Sequence, residues 1–422
     1  MRRSRVGGVV LSLVLTASAG ACGLTISEPQ TWLTPAPAAP AYATALDAQI
    51  QQIMKDMSVP GAVVMITSPD KGDWTRAFGT QAVGGGAPVT VGDHFRIGSN
   101  TKTMTGTVLL QLAQEGKIGL DDPVSKYQPE VPGGDNITIT QLLDMRSGLY
   151  NYSEDEQFNA KLDNDPGYVW KPAELLAIAF AKPPYFPPGT AFHYSNTNLI
   201  LAGLIIEQLT GGTLQQAYQQ RIFGPLGLSQ TQLPEAADAG IPAPHPQGYM
   251  FGTNVSTLAN PALPPAEQAA AAKGELKPRD VTDGNPSWAW AAGGAISTAT
   301  DLTRYVTALV GGGLLDPAMQ KTRMDSIKQI PTPDNADVGY GLAIVKFGPL
   351  YGHDGQIPGF NSFMAHDPAT KNSVIVLTSL FASPGGQQPA NAIAMAIMQA
   401  LYGESLVPSP SPSPSPSPSP TR

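Results

Sequence analysis

The strand-forming text of this chain lies at its two ends, with a long helical stretch between them. Residues 59–67 (VPGAVVMIT) are apolar and β-branched, Ser68-Pro69-Asp70-Lys71-Gly72 reads as a turn, and residues 74–78 read as the returning strand. Comparable text returns only near the C-terminus, at 339–347, 362–365 and 373–379. Strand text at both ends with a helical middle implies an antiparallel sheet. Residues 42–57 carry Leu46, Ile50, Ile53, Met54 and Met57 near a 3.6 period, and with 390–401 they predict a helix at each end of that body. Residues 102–114 and 302–310 predict two more, the second running into the glycines 311–313. From Ile118 to about Pro286 the text is helix and long loop, with helices at 139–145, 173–181 and 198–209. The expectation is an α+β fold: an antiparallel sheet flanked by N- and C-terminal helices, plus a mostly helical lobe at about 118–286, with the site between them. No internal repeat is present.

The extreme ends read differently. Arg2, Arg3 and Arg5 precede an apolar run at 6–15 and small residues at 17–21, the pattern of an export signal over residues 1–21. The single cysteine, Cys22, follows Ala19-Gly20-Ala21 directly, which resembles a bacterial lipobox whose cysteine is lipidated. Ala19 stands where that motif usually has Leu, and plain secretion is the alternative. Loss of residues 1–21 would remove three arginines and no acid, moving the formal net charge from −8 to −11. So acidic a surface is repelled by anionic lipid, and the expected membrane contact is through a lipid anchor only, on the outer face of the cell membrane. Residues 22–40, with Pro35, Pro37 and Pro40 among alanines, read as a tether, and 406–422 as a stiff, solvated Pro-Ser tail. The folded body is expected over 41–405.

Composition narrows the function classes. With 25 basic against 33 acidic residues and no basic cluster after the N-terminus, no nucleic-acid partner is expected. One cysteine excludes a disulfide framework and a thiolate zinc site.

Three local features can carry chemistry. Ser99 and Lys102 stand three apart at the start of a helix and so share one helical face. A serine hydroxyl needs a base, and a lysine whose pKa is lowered by burial can serve without histidine. The helix start adds N–H groups and a positive dipole end for a developing oxyanion. The spacing alone is weak, because Ser68-Pro69-Asp70-Lys71 repeats it, but that copy lies in a turn. Tyr194-Ser195-Asn196 follows the turn Pro187-Pro188-Gly189 and precedes a helix. Its bland reading is a capping segment; its chemical reading is a phenol that is held as phenolate or relays a proton, beside an amide that orients the lysine and a substrate carbonyl. Gly352-His353-Asp354-Gly355, followed by Gln356, is glycine-rich text entering a strand, where a ligand can approach the backbone closely; alone it would read as a turn.

In this order the three resemble the serine penicillin-recognising family: D-alanyl-D-alanine carboxypeptidases, class C β-lactamases, D-aminopeptidases and related esterases. That family's pattern is Ser-x-x-Lys, then Tyr-x-Asn, then Lys/His-x-Gly on a late strand. Further matching text is Phe95-Arg96-Ile97-Gly98-Ser99, Arg146-Ser147-Gly148-Leu149-Tyr150, Pro188-Gly189-Thr190 and Ala292-Gly293-Gly294. The resemblance spans roughly residues 42–402 and looks closest to secreted actinobacterial D,D-peptidases. It implies a β-lactamase/transpeptidase-like fold and an acyl-enzyme on Ser99, with Lys102 as proton acceptor, Tyr194 as relay and Asn196 as a substrate-binding partner. His353 would shuttle a proton or steady Tyr194, and the oxyanion hole would be the N–H groups of Ser99 and Gln356, beside Gly355. No cofactor or metal is implied. The implied partners are small peptides or esters, peptidoglycan stem peptides among them, and β-lactams as covalent ligands.

The carboxypeptidases of this family usually carry Thr in the middle of the third motif and a hydroxyl residue after its Gly; here those places hold Asp354 and Gln356. An inward Asp354 would repel a substrate carboxylate, whereas an outward one would not. The expected activity is that of a D-alanyl-D-alanine carboxypeptidase on cell-wall peptides. The alternatives are an esterase, D-aminopeptidase or β-lactamase of the same fold, or a catalytically silent binding or sensor lipoprotein. His94, His193, His245 and His366 read as packing or surface residues, His193 being best placed to line the cleft. Trp288 and Trp290 read as core with a chance of walling the cleft, and Glu154-Asp155-Glu156 as a solvated face.

Overall fold

The computed structural model describes residues 39–331 and 337–403; the expected export signal, Cys22, most of the tether and the Pro-Ser tail lie outside them. Eight strands form the main sheet: β1 (Gly61–Thr67), β2 (Trp74–Gly79), β3 (Lys328–Gln329), β4 (Val338–Tyr340), β5 (Val345–Phe347), β6 (Leu350–Ile357), β7 (Phe360–His366) and β8 (Ser373–Thr378). Their order is β2-β1-β8-β7-β6-β5-β4-β3, every pairing antiparallel. The N-terminal hairpin thus joins the C-terminal strands through β1 and β8, with Ala62 opposite Thr378 and Thr67 opposite Ser373. The helices that matter for the site are α1 (Ala43–Asp56), α2 (Thr101–Gln114), α3 (Asn196–Thr210), α4 (Ala299–Gly311) and α5 (Pro389–Tyr402).

Both faces of the sheet are covered, which explains why β1 and β8 read as unbroken apolar runs rather than alternating ones. Side chains still alternate by pleat. Ala62, Val64 and Ile66 join Val374, Val376 and Phe363 against Leu46 and Ile50 of α1 and Ile393 and Ile397 of α5. Val63, Ile375, Leu377 and Met364 face the other way, toward Leu302, Val306 and Leu309 of α4 and the helical lobe. Each fully buried Val, Leu or Ile stabilises the fold by roughly 1.5–3 kcal/mol. α1 and α5 therefore close the outer face, and α4, α2 and the lobe close the inner one.

Two expectations are refined. The text at 339–347 is not one strand but two, because the chain bends between β4 and β5, where Ala343 takes φ +51. The lobe also holds a two-strand ladder pairing Tyr249 with Asp280 and Met250 with Arg279. Arg323, fully buried, ties α2 to the bend between β4 and β5. Its guanidinium donates to Thr107 Oγ1 (2.7 Å), the Thr103 carbonyl (3.2 Å) and the Ala343 carbonyl (3.3 Å), and burial lowers its pKa to about 10.

Candidate active site

Ser99 sits in a single 3₁₀ turn, Gly98–Asn100, that runs straight into α2. The sequence shows an apolar side on α2, but Thr101–Leu112 are buried all round. Its threonines make this tolerable by turning their hydroxyls onto carbonyls: Thr103 to Asn100 (2.7 Å), Thr107 to Thr103 (2.7 Å) and Thr105 to Ala291 (2.5 Å). Lys102, one turn after Ser99, is therefore drawn into the interior with the helix that carries it.

The Lys102 ammonium is fully buried, and its Nζ has three neighbours: Ser99 Oγ at 3.0 Å, Asn196 Oδ1 at 2.6 Å and the Ala292 carbonyl at 2.7 Å. Burial drives its pKa well below the usual lysine value; the carboxylate of Asp354 pulls the other way with less effect. Burial favours the neutral amine, and the same three neighbours can serve it. Asn196 Oδ1 and the Ala292 carbonyl can only accept, so they take the two N–H groups, and the remaining lone pair points at the Ser99 hydroxyl. That is the arrangement a general base needs.

Tyr194 and Asn196 bracket the start of α3. The Tyr194 ring lies 4.7 Å from Lys102 Nζ. Burial holds its phenol well above the usual tyrosine value, while its hydrogen bond with Ser99 works in the opposite direction. Of the two sequence readings, a neutral phenol that relays a proton therefore fits, and a standing phenolate does not. The Asn196 amide is held at both ends: Oδ1 accepts from Lys102, and Nδ2 donates to Ser153 Oγ (2.9 Å), itself bonded to Asn151 Oδ1 (2.9 Å). Asn151, Ser153 and the Ala292 carbonyl complete the lysine's surroundings, and only Ala292 lay in text singled out from the sequence.

The Gly352–Gly355 segment lies within strand β6 rather than in a turn. β5 pairs with β6 only at Leu350–Gly352, leaving residues 353–357, among the described residues, without a strand on that side. Directly opposed residues of an antiparallel pair share a face. His353 opposes Met364 and Gly355 opposes Ser362, whose hydroxyl donates to the Ile97 carbonyl (2.8 Å); both therefore face the Ser99 turn. Asp354 opposes Phe363, on the α1–α5 face, and accepts from Asn391 Nδ2 of α5 (2.9 Å). Burial alone would raise the Asp354 carboxyl, but hydrogen bonds from His353 and Asn391 more than offset it and hold the group low. Asp354 is thus the outward case, and the Gln356 side chain, bonded to the Phe381 carbonyl (3.0 Å), points the same way.

Two glycines let the Ser99 turn and β6 meet. A Cβ on Gly355 would lie 2.0 Å from the Ile97 carbonyl oxygen, and one on Gly98, where φ is +50°, would lie 2.7 Å from the Gln356 amide nitrogen. The close approach that the glycine-rich text signals is to this chain's own backbone, and it brings the Gln356 amide beside the Ser99 turn, as an oxyanion hole requires.

His353 departs from its expected partner. Its Nε2 meets the hydroxyl of Tyr340 at 3.2 Å, and its Nδ1 meets the Asp354 carbonyl at 2.6 Å; toward Tyr194 it shows only a tilted ring contact at 6.2 Å. Tyr340 was hidden in strand-like text with no motif of its own. His94 is buried between the Pro244 carbonyl (3.2 Å) and Gln230 (3.1 Å), and His366 pairs with Ser373 (2.8 Å). His193 bonds Glu154 (3.0 Å), which also accepts from Tyr185 (2.6 Å), while buried Asp155 pairs with Lys182 (2.8 Å); these two acids are engaged rather than merely solvated. Trp288 packs on Phe158 and its carbonyl accepts from Tyr152 (2.6 Å). A cavity of about 290 Å³ lined by Pro60, Val83, Phe251, Leu276 and Lys277 contains none of the residues around Ser99.

The family model named Beta-lactamase matches residues 46–398. The chain superposes on a D-stereospecific amidohydrolase from Streptomyces sp. with a TM-score of 0.70 and 32% identity, covering 85% of this chain and 99% of that one. It superposes on the D-amino acid amidase from Ochrobactrum anthropi SV3, complexed with D-phenylalanine, with a TM-score of 0.71 and 26% identity, over 85% and 98% of the two chains. A penicillin-binding protein homologue from Pyrococcus abyssi, octameric in its own structure, gives 0.70 and 25% over 86% and 78%. The matched stretches take in between 37% and 67% of the length of the curated relatives. The chain belongs to the beta-lactamase family, as a serine hydrolase of the β-lactamase and penicillin-binding-protein fold.

Proposed function

We propose that this protein is an exported hydrolase that cleaves amide bonds at D-amino-acid residues through an acyl-enzyme on Ser99, with cell-wall peptides ending in D-Ala as its substrates. The observation that carries the reading is the buried, two-carbonyl cradle of Lys102, which in the neutral amine leaves its lone pair for the Ser99 hydroxyl 3.0 Å away. In acylation Ser99 Oγ bonds to the substrate carbonyl carbon while its proton moves to Lys102 Nζ. Charge gathers on the carbonyl oxygen, beside the N–H groups of Ser99 and Gln356. The amide C–N bond then breaks as the leaving amine takes a proton through Tyr194, supplied by Lys102. Water repeats the sequence in reverse roles and frees the acid. Export and lipid anchorage at Cys22 rest on the N-terminal sequence pattern alone.

A carboxypeptidase and an amidase differ in what leaves. Asp354 points outward and is held by Asn391, so its repulsion of a terminal carboxylate is weakened, which supports the carboxypeptidase. The inner face of β6 carries no hydroxyl side chain between His353 and Ile357, and the D-stereospecific amidohydrolase and the D-amino acid amidase named above superpose on this chain, which supports an amide with no free carboxylate. Purified protein is given an acyl-D-Ala-D-Ala peptide and D-phenylalanine amide side by side, with D-Ala and ammonia measured as products. Release of D-Ala that Ser99→Ala abolishes supports the wall peptidase. Ammonia alone supports the amidase, and neither product, with an intact fold, overturns the proposal.

A further inference from the structure

Tyr340 belongs to none of the three motifs, yet it touches two of them. It is 2% exposed and lies at the end of the short strand β4, just before the bend that carries Ala343. Its hydroxyl is 3.2 Å from His353 Nε2. Its ring stands edge-on to His353 (5.7 Å between centroids, 87°) and to Tyr194 (6.1 Å, 82°), and Phe192 closes the far side (5.6 Å). Burial keeps its phenol protonated.

The hydrogen-bond partners of His353 define how it is held. Its Nδ1 lies 2.6 Å from the Asp354 carbonyl oxygen, with an oxygen of the Asp354 side chain farther off at 3.5 Å; both only accept, so Nδ1 carries a hydrogen. In the neutral ring this leaves the Nε2 lone pair for the Tyr340 O–H. Both ring nitrogens of His353 are then engaged by the protein itself.

We infer that Tyr340 is a positioning residue, whose O–H donates to His353 Nε2, fixes His353 as the neutral Nδ1–H tautomer and packs Tyr194 over Lys102. On this account His353 is a fixed wall of the site, and the Ser99 proton travels only through Lys102 and Tyr194. The inference rests on the acyl-enzyme reading above, but its hydrogen-bond half stands without it.

The test has a spectroscopic arm and a kinetic arm. The chain has five histidines, so ¹⁵N-labelled imidazole resonances of the whole protein can be assigned with His353→Gln as a blank. The expected spectrum shows His353 protonated at Nδ1 and hydrogen-bonded at Nε2, with the Nε2 signal shifting in Tyr340→Phe, which keeps the ring and removes only the hydroxyl. An Nε2–H tautomer or a cationic ring in the unaltered protein overturns the inference. So does an Nε2 signal that Tyr340→Phe leaves in place. This arm needs no turnover, so it decides the bond even if the proposed function fails or the variant folds poorly. In the kinetic arm, with a chromogenic ester, Tyr340→Phe is expected to lower kcat about tenfold with KM within about twofold. In a His353→Gln background the same change is expected to do nothing further. A full tenfold loss in that background would mean that Tyr340 acts independently of His353 and would overturn the inference.

Discussion

The same spacing of serine and lysine occurs twice in this chain, and the two copies have opposite fates. Ser68 closes the β1–β2 turn: its hydroxyl accepts from the Lys71 amide (3.2 Å), and the Lys71 side chain lies exposed on the Ala400 carbonyl (3.2 Å). Ser99 leads into a helix whose residues 101–112 are all buried, and the Lys102 side chain is fully buried with it. In the first copy the serine hydroxyl is engaged by the backbone and the lysine side chain is exposed on the surface. In the second, burial removes the ammonium's solvation and two carbonyls fix the amine's direction. The chemistry lies in the surroundings of the lysine, and the motif only brings the two side chains within reach.

Changes at the two copies should therefore diverge. Ser99→Ala is expected to lower turnover of an activated ester by about 10⁴-fold or more, whereas Ser68→Ala should leave kcat unchanged and cost about 1 kcal/mol in a urea melt. Lys102→Met should lower acylation by about 10²–10⁴-fold, with Lys71→Met as the silent control. Gly98→Ala drives a Cβ onto the Gln356 amide and should reduce acylation about 100-fold, read by stopped flow. Asp354→Asn should change KM for a carboxylate-terminated peptide by less than about twofold, because the carboxylate faces α5.

The depressed lysine pKa also has a signature in stability. Between the folded pKa of Lys102 and the usual lysine value, the unfolded chain binds a proton that the folded chain does not, so stability rises with pH across that window. Above about pH 10 the buried tyrosines, Tyr152, Tyr218 and Tyr305 among them, reverse the slope, since they stay protonated in the fold and ionise when it opens. Melts against pH should show the rise in the native protein and lose it in Lys102→Met. A catalytic limb that rises with pH should accompany it.

Much of this was legible in the sequence. Strand text at both ends gave the sheet, and the order of three motifs gave the family and the residues gathered at Ser99. The direction of Asp354 was not legible, because pleat alternation assigns a face only once the partner strand and its register are known, and Phe363 lies on a different strand. Tyr340 was invisible for a related reason: its role comes from a contact with His353, on a strand beyond the bend, and nothing in Val338–Tyr340 itself marks it. The text at 339–347 misled because apolar residues, Tyr340 and Leu342 before it and Ile344 and Val345 after it, continue across a backbone that turns at Ala343.

The most direct test of the central claim is intact mass after brief exposure to benzylpenicillin and to a fluorophosphonate, for the native protein and for Ser99→Ala, Lys102→Met and Ser68→Ala. The account predicts one adduct per chain with at least one probe in the native protein and in Ser68→Ala, none in Ser99→Ala, and a slowed adduct in Lys102→Met. An adduct that survives Ser99→Ala, or native protein inert to both probes, would contradict it.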